Sequence, residues 1–100
     1  MTLPQESILR SKVSINDDVL FQEIKGEGVL LNLKTGVYLG LNPVGAMVWS
    51  LLSRNPSVGE ILSAMLAEFD VEREQCLGDL VALLDELQAN QLITLVPAGT

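Results

Sequence analysis

Histidine is absent from this chain, and cysteine occurs once, as Cys76. The first absence removes the commonest general base and the commonest zinc ligand. The second excludes an internal disulfide, which fits a reducing compartment. Basic residues are also few: six Lys and Arg stand against thirteen Asp and Glu, for a net charge of −7. Nucleic-acid binding draws most of its affinity from Lys and Arg, so this balance argues against a phosphate-contacting surface. Aromatics make up only 4 % of the residues, so the core must be aliphatic. No apolar run approaches the ~20 residues that span a bilayer. The N-terminus, MTLPQESILRSK, lacks the apolar stretch and small-residue cleavage site of a secretory signal. These absences point to a soluble cytoplasmic protein without membrane or nucleic-acid partners.

What the chain does have is aliphatic side chains, in a total apolar fraction of 48 % and with a mean hydropathy of +0.35. One hundred residues make one domain, large enough to fold alone by a modest margin. The apolar excess fits a well-filled core, a dimer interface or an exposed groove.

The patterning changes along the chain. Residues 1–12 read as a flexible N-terminal arm, 13–96 as a single domain and 97–100 as a tail, with a short strand open near Val13 to Ile15. Asn16-Asp17-Asp18 signals a turn, and Val19 to Ile24 a strand. After the turn Lys25 to Gly28, Val29, Leu31 and Leu33 alternate against Leu30, Asn32 and Lys34, the period of a half-buried strand. Lys34-Thr35-Gly36 suits a hairpin loop with Gly36 left-handed. Val37, Leu39 and Leu41 then share one face, and Tyr38 and Gly40 the other. Three strands in a row, joined by short turns, form a meander, and its last strand lies at an edge.

At Asn42 the period switches. Asn42 suits an N-cap and Pro43 the first helical position. Val44, Met47, Val48, Leu51 and Leu52 follow at helical spacing, with Trp49 at the margin. Ser57 and Glu60 fit a capping box ahead of a second helix with Val58, Ile61, Leu62, Met65, Leu66 and Phe69 on its core face. A third helix is expected from Glu72 or Arg73 to Gln88 or Ala89, capped by Asn90. Leu77, Leu80, Val81, Leu84 and Leu87 form its core stripe, and Leu83 lies outside that stripe. Leu92 to Val96 fits a short final strand or an extended tail. The expected fold class is α+β and winged helix-turn-helix-like: a three-stranded antiparallel meander followed by three helices.

None of the side-chain clusters suggests catalysis. Asp79, Asp85 and Glu86 are explained by the polar face of a helix, and neither a calcium loop nor a zinc set is spelled out. Cys76 sits near Glu74 and Asp79, a setting that disfavours the thiolate. The glycines match no phosphate-binding pattern. A DNA-reading helix is disfavoured because the third helix carries one base, Arg73, among several acids. No enzyme activity, cofactor or metal is expected. What stands out is the edge from Val37 to Leu41. It carries no charged side chain to block pairing, and Gly40 admits a close backbone approach. Addition of a peptide strand is the functional reading; a dimer partner or the chain's own tail is the alternative cover.

VLLNLKTGVYLGLNPVGAMVWSLL, Val29 to Leu52, closely resembles the signature region of the PqqD-like family. The shared features are an apolar strand, a Thr-Gly turn, a Tyr in the next strand, Leu-Asn-x-x-Gly, and a helix with Trp-x-Leu-Leu. Ser57 to Glu72 and Asp79 to Ile93 resemble the family's second and third helices. The pyrroloquinoline-quinone member's Trp-rich strand region and more basic helices are missing. The chain looks nearer to stand-alone versions found with lasso-peptide leader peptidases or radical enzymes.

The resemblance implies a recognition element for ribosomally synthesised, post-translationally modified peptides (RiPPs). Such an element binds a precursor's leader peptide and presents it to a modifying enzyme, either a leader peptidase or a radical enzyme. It implies that the leader adds as a strand along Val37, Tyr38, Leu39, Gly40 and Leu41. It also implies a helical wall drawn from Cys76, Asp79, Leu80, Leu83 and Leu87. The alternatives are a winged-helix DNA-binding regulator and a structural subunit that forms a homodimer.

Overall fold

The computed structural model describes residues 8–97. Eight elements follow one another: β1 (Lys12–Ile15), β2 (Val19–Ile24), β3 (Glu27–Asn32), β4 (Tyr38–Leu41), α1 (Pro43–Leu52), α2 (Val58–Glu68), α3 (Arg73–Ala89) and β5 (Ile93–Val96). The expected α+β architecture of a three-stranded meander and three helices is present. β2, β3 and β4 form an antiparallel sheet in that order, so β4 ends the sheet on one side.

The meander is not the only sheet. β1 and β5, the two segments left open in the sequence, pair with each other from Lys12–Val96 to Ile15–Ile93. Of the arm expected over 1–12, residues 1–7 lie outside the described residues. Leu9 and Ser11 are bonded to the start of α2: Gly59 N–H donates to Leu9 C=O at 3.0 Å and Val58 N–H to Ser11 C=O at 2.9 Å.

The strand alternation resolves in favour of one face. Gly28, Leu30 and Asn32 of β3 are buried, whereas Val29 and Leu31 are half-exposed and Leu33 is exposed. Cross-strand partners share a face, so Val19 and Phe21 point to the core with Leu30 and Leu39, while Ile24 faces solvent. Gly28 is required here, because a Cβ would stand 2.5 Å from Phe21 Cε1. The Phe21 ring stacks on Trp49, centroids 6.3 Å apart, which draws Trp49 into the core at 6 % exposure.

The helices start where the caps dictate. Asn42 Oδ1 accepts from Gly45 N–H at 2.8 Å, and Pro43 occupies a position where no amide is needed. Ser57 and Glu60 form the full capping box, at 2.8 and 3.1 Å. Their inward faces, with β3, β4 and β5, close one aliphatic core that includes Leu30, Leu41, Leu52, Ile61, Leu80, Leu84, Leu87 and Leu92. Among the described residues, no helix is long and apolar enough to cross a membrane.

Candidate functional site

Among the described residues, the outer edge of β4 is unpaired. β3 occupies one side of it, and among the described residues no strand occupies the other. The ladder phase fixes which groups are free. Asn32 N–H donates to Val37 C=O at 2.9 Å, so Asn32 and Val37 form a hydrogen-bonded pair. Antiparallel pairs alternate, so in the observed register Leu39 and Leu41 also turn their N–H and C=O toward β3. Tyr38 and Gly40 turn theirs outward. The β2–β3 ladder agrees: Leu33 N–H donates to Asp18 C=O at 2.8 Å, so odd-numbered residues of β3 face β2 and even-numbered ones face β4.

Gly40 carries no intramolecular reason to be glycine. Its φ is not in the left-handed region, and a Cβ would meet nothing within 4 Å. Glycine inside a strand weakens it, and an external approach is the remaining structural use for the vacancy. Gly45, in the same region, is different: a Cβ there would come within 3.3 Å of Leu41, so it lets α1 pack closely on the end of β4.

Beside this edge runs a groove of about 340 Å³ lined by Gly40, Leu41, Asn42, Val44, Gly45, Met65, Asp79, Leu80, Leu83 and Glu86. Its size falls within the usual range of binding clefts. Leu41, Met65 and Leu80 form an almost wholly buried floor. Asp79, Leu83 and Glu86 follow at helical spacing on one face of α3 and make the wall. A larger depression, about 640 Å³, lies between Leu9, Glu60, Leu66 and Arg73, but none of its lining residues belongs to a strand.

The residues expected at the site divide accordingly. Gly40, Leu41, Asp79, Leu80 and Leu83 line the groove. Tyr38, 70 % exposed, offers its backbone to the same edge. Leu39 points half-buried toward the core, and Val37 precedes β4, its N–H bonded to Thr35 Oγ1 at 3.2 Å. Cys76 and Leu87 belong to the core, at 2 % and 1 % exposure, and do not line the groove. Desolvation pushes the Cys76 thiol up, and the Asp79 carboxylate adds to the shift. Glu86, Met65, Val44 and Asn42 were not foreseen as lining. Leu83, the one leucine outside the core stripe of α3, was the signal that this helix has a second apolar contact.

Asn32 holds the wall against the sheet. It is 3 % exposed and fully bonded. Its Nδ2 donates to Asn90 C=O at 3.2 Å and Gln91 C=O at 3.1 Å. Its Oδ1 accepts from Lys34 N–H at 2.9 Å and Thr35 N–H at 3.2 Å. One side chain thus ties the β3–β4 hairpin to the C-terminal end of α3. Asn16 adds a second tie, donating to Gln91 C=O at 2.9 Å and accepting from Thr94 Oγ1 at 2.6 Å. Among the described residues, no group of three or more His, Cys, Asp or Glu is placed to hold a metal.

These features define a winged-helix-like α+β domain with one open sheet edge facing a helix-walled groove. Over residues 27–93 the chain matches the family model described as coenzyme PQQ synthesis protein D (PqqD). It belongs to the PqqD family. Two solved structures are similar. One is TbiB1 in complex with the TbiA(beta) leader peptide: 40 % identity and a TM-score of 0.75 over 80 % of this chain and 93 % of that one. The other is lasso peptide synthetase B1 complexed with the leader peptide: 23 % identity and a TM-score of 0.73 over 82 % of this chain and 96 % of that one. At that lower identity the likeness concerns the fold alone. No curated protein matches the chain.

Proposed function

We propose that this chain is a non-catalytic adaptor that binds the leader segment of a ribosomally synthesised, post-translationally modified precursor peptide. The leader pairs as an added strand with Tyr38 and Gly40 and lays alternate side chains against Leu41, Leu80 and Leu83. The adaptor then presents the precursor to a modifying enzyme, a leader peptidase or a radical enzyme, in the cytoplasm. Residues 13–96 are the recognition domain, with 1–12 as arm and 97–100 as tail.

The observation that carries this reading is the free β4 edge bordering an aliphatic groove. Main-chain pairing supplies affinity there, and pockets for alternate side chains supply specificity. The 40 % identical TbiB1 was solved with a leader peptide, which supports the same class of ligand here. The groove lining offers aliphatic side chains, a thioether, glycines, an amide and two carboxylates, with no hydroxyl, thiol, amine or imidazole among them. The α3 surface carries Arg73 against Glu74, Asp79, Asp85 and Glu86, which disfavours a duplex-binding role.

The test is fluorescence anisotropy with labelled leader segments of the precursor peptides encoded beside this protein. A dissociation constant of roughly micromolar or tighter, about −8 kcal/mol, is expected for one of them. Failure of every such segment to bind overturns the adaptor reading.

A further inference from the structure

We infer that the groove takes an extended peptide segment carrying a Lys or Arg two residues from an apolar anchor, its cationic head held by Asp79 or Glu86. This deepens the groove reading above and rests on it.

The placement follows from the ladder phase. A strand added to β4 has residues opposite Leu39 and Leu41 whose side chains share the core-side face with those two leucines. That face looks onto α3. Residues opposite Tyr38 and Gly40 point the other way, to solvent. Only every second peptide side chain therefore meets the wall, at steps of about 6.8 Å.

On the wall, an apolar position stands between two charged ones. Asp79 to Leu83 is four residues and Leu83 to Glu86 is three, rises of about 6 and 4.5 Å along the helix. An apolar peptide side chain over Leu83 therefore has a carboxylate within one peptide step on either side, and the reach of a Lys or Arg two residues away covers the difference in spacing. Asp79 and Glu86 are both exposed, and no Lys or Arg lines the groove to neutralise them. Among the described residues the one ion pair, Lys12 with Glu60, lies elsewhere.

An acidic or short polar residue at that step would be repelled or left short of a partner. A Lys or Arg lays its methylene stem along the aliphatic lining near Leu83 and carries its head to the carboxylates at the rim. The net charge of −7 favours encounter with such a segment.

The experiment is a selection from a random dodecapeptide phage library on the immobilised full chain, run in parallel on the Asp79→Asn/Glu86→Gln double variant. Both side chains are exposed, and a shared melting temperature verifies that the variant is folded. The expected result is enrichment of Lys or Arg at a fixed offset of two from an apolar residue on the parent chain. On the variant the apolar pattern persists and the basic residue is lost. A synthesised selected peptide with norleucine in place of its Lys should bind the parent about fivefold more weakly, the upper range for an exposed ion pair, and bind the variant unchanged. Equal basic content on both chains overturns the charge inference and leaves the groove reading standing. No enriched extended peptide on either chain overturns both.

Discussion

A single backbone step separates two residues of β4 with opposite consequences. Gly40 turns its N–H outward and Leu39 turns its N–H toward β3, by the register of the hairpin. Proline in place of each removes one donor. Gly40→Pro removes a free one at a position where an added Cβ meets nothing. Its melting temperature should stay within a few degrees of the parent, and leader affinity should fall about two- to tenfold, the scale of one lost hydrogen bond. Leu39→Pro removes a ladder bond and should destabilise the fold by about 1–3 kcal/mol, the cost of leaving the β3 carbonyl unpaired. Circular dichroism melts beside anisotropy titrations separate the two, and a Gly40→Pro chain that binds as well as the parent would place the ligand elsewhere. Cys76 supplies a second residue-scale test. Desolvation, then the Asp79 charge, raises its thiol pKa, so near neutral pH it is almost entirely protonated as well as buried. Iodoacetamide should leave native Cys76 unmodified over hours and alkylate it within minutes in guanidinium, as read by mass spectrometry.

At the scale of elements, the sequence was most legible where a local chemical signal marks a boundary. Asn42-Pro43 starts α1 and Ser57 with Glu60 starts α2, as N-cap chemistry requires, and Asn90 caps α3 by donating its side-chain amide to Glu86 C=O, the left-handed turn falling on Gln91. Elements fixed by distant partners were less legible. β1 and β5 have four residues each and are separated by most of the chain, so neither carries a pattern that names the other. The faces of α3 were half legible: the core stripe is periodic, but the groove wall mixes Leu83 with two acids and reads as a polar face. The capping box also gives a pH dependence. Hydrogen bonds from Ser57, backbone first and then side chain, hold the Glu60 carboxyl below its ordinary pKa, with Lys12 adding a smaller effect. A depressed folded-state value means that this contribution is present above the unfolded pKa and is lost as pH falls through the folded one. Glu60→Gln keeps an acceptor for Ser57 N–H without the titration. Its chemical-denaturation midpoint should lie below the parent's at neutral pH, and the gap should narrow as the pH drops below about 4.

For the molecule as a whole, the groove is only as well defined as the distance between its two sides, β4 and α3. Among the described residues no backbone hydrogen bond joins those sides directly; they meet through the buried floor of Leu41, Met65 and Leu80 and are bridged at the far ends. Asn32 bridges the β3–β4 hairpin to Asn90 and Gln91, and Asn16 bridges the β1 end to the same Gln91 carbonyl. Gln91 adopts a φ of +59°, which turns the chain from α3 into β5 and presents that carbonyl to both amides. Asn32 was the hardest residue to read, because an amide alternating with leucines looks like the wet side of a strand, yet here it lies on the dry side with all its bonds made. Replacing it with Ala strands two carbonyls and two hairpin amides, partly exposed, and should cost about 2 kcal/mol of stability. For a domain of this size that is roughly a 10 °C fall in melting temperature. Asn32 does not line the groove, so a purely local role would leave affinity unchanged at temperatures where the variant is folded. If the asparagine sets the spacing of edge and wall, leader affinity should also drop, by about three- to tenfold, because part of the binding energy must then reorder the wall. Calorimetric titration at 10 °C, where the variant remains folded, decides between the two: a weaker dissociation constant with intact helicity makes Asn32 the brace of the site, and an unchanged one confines it to stability.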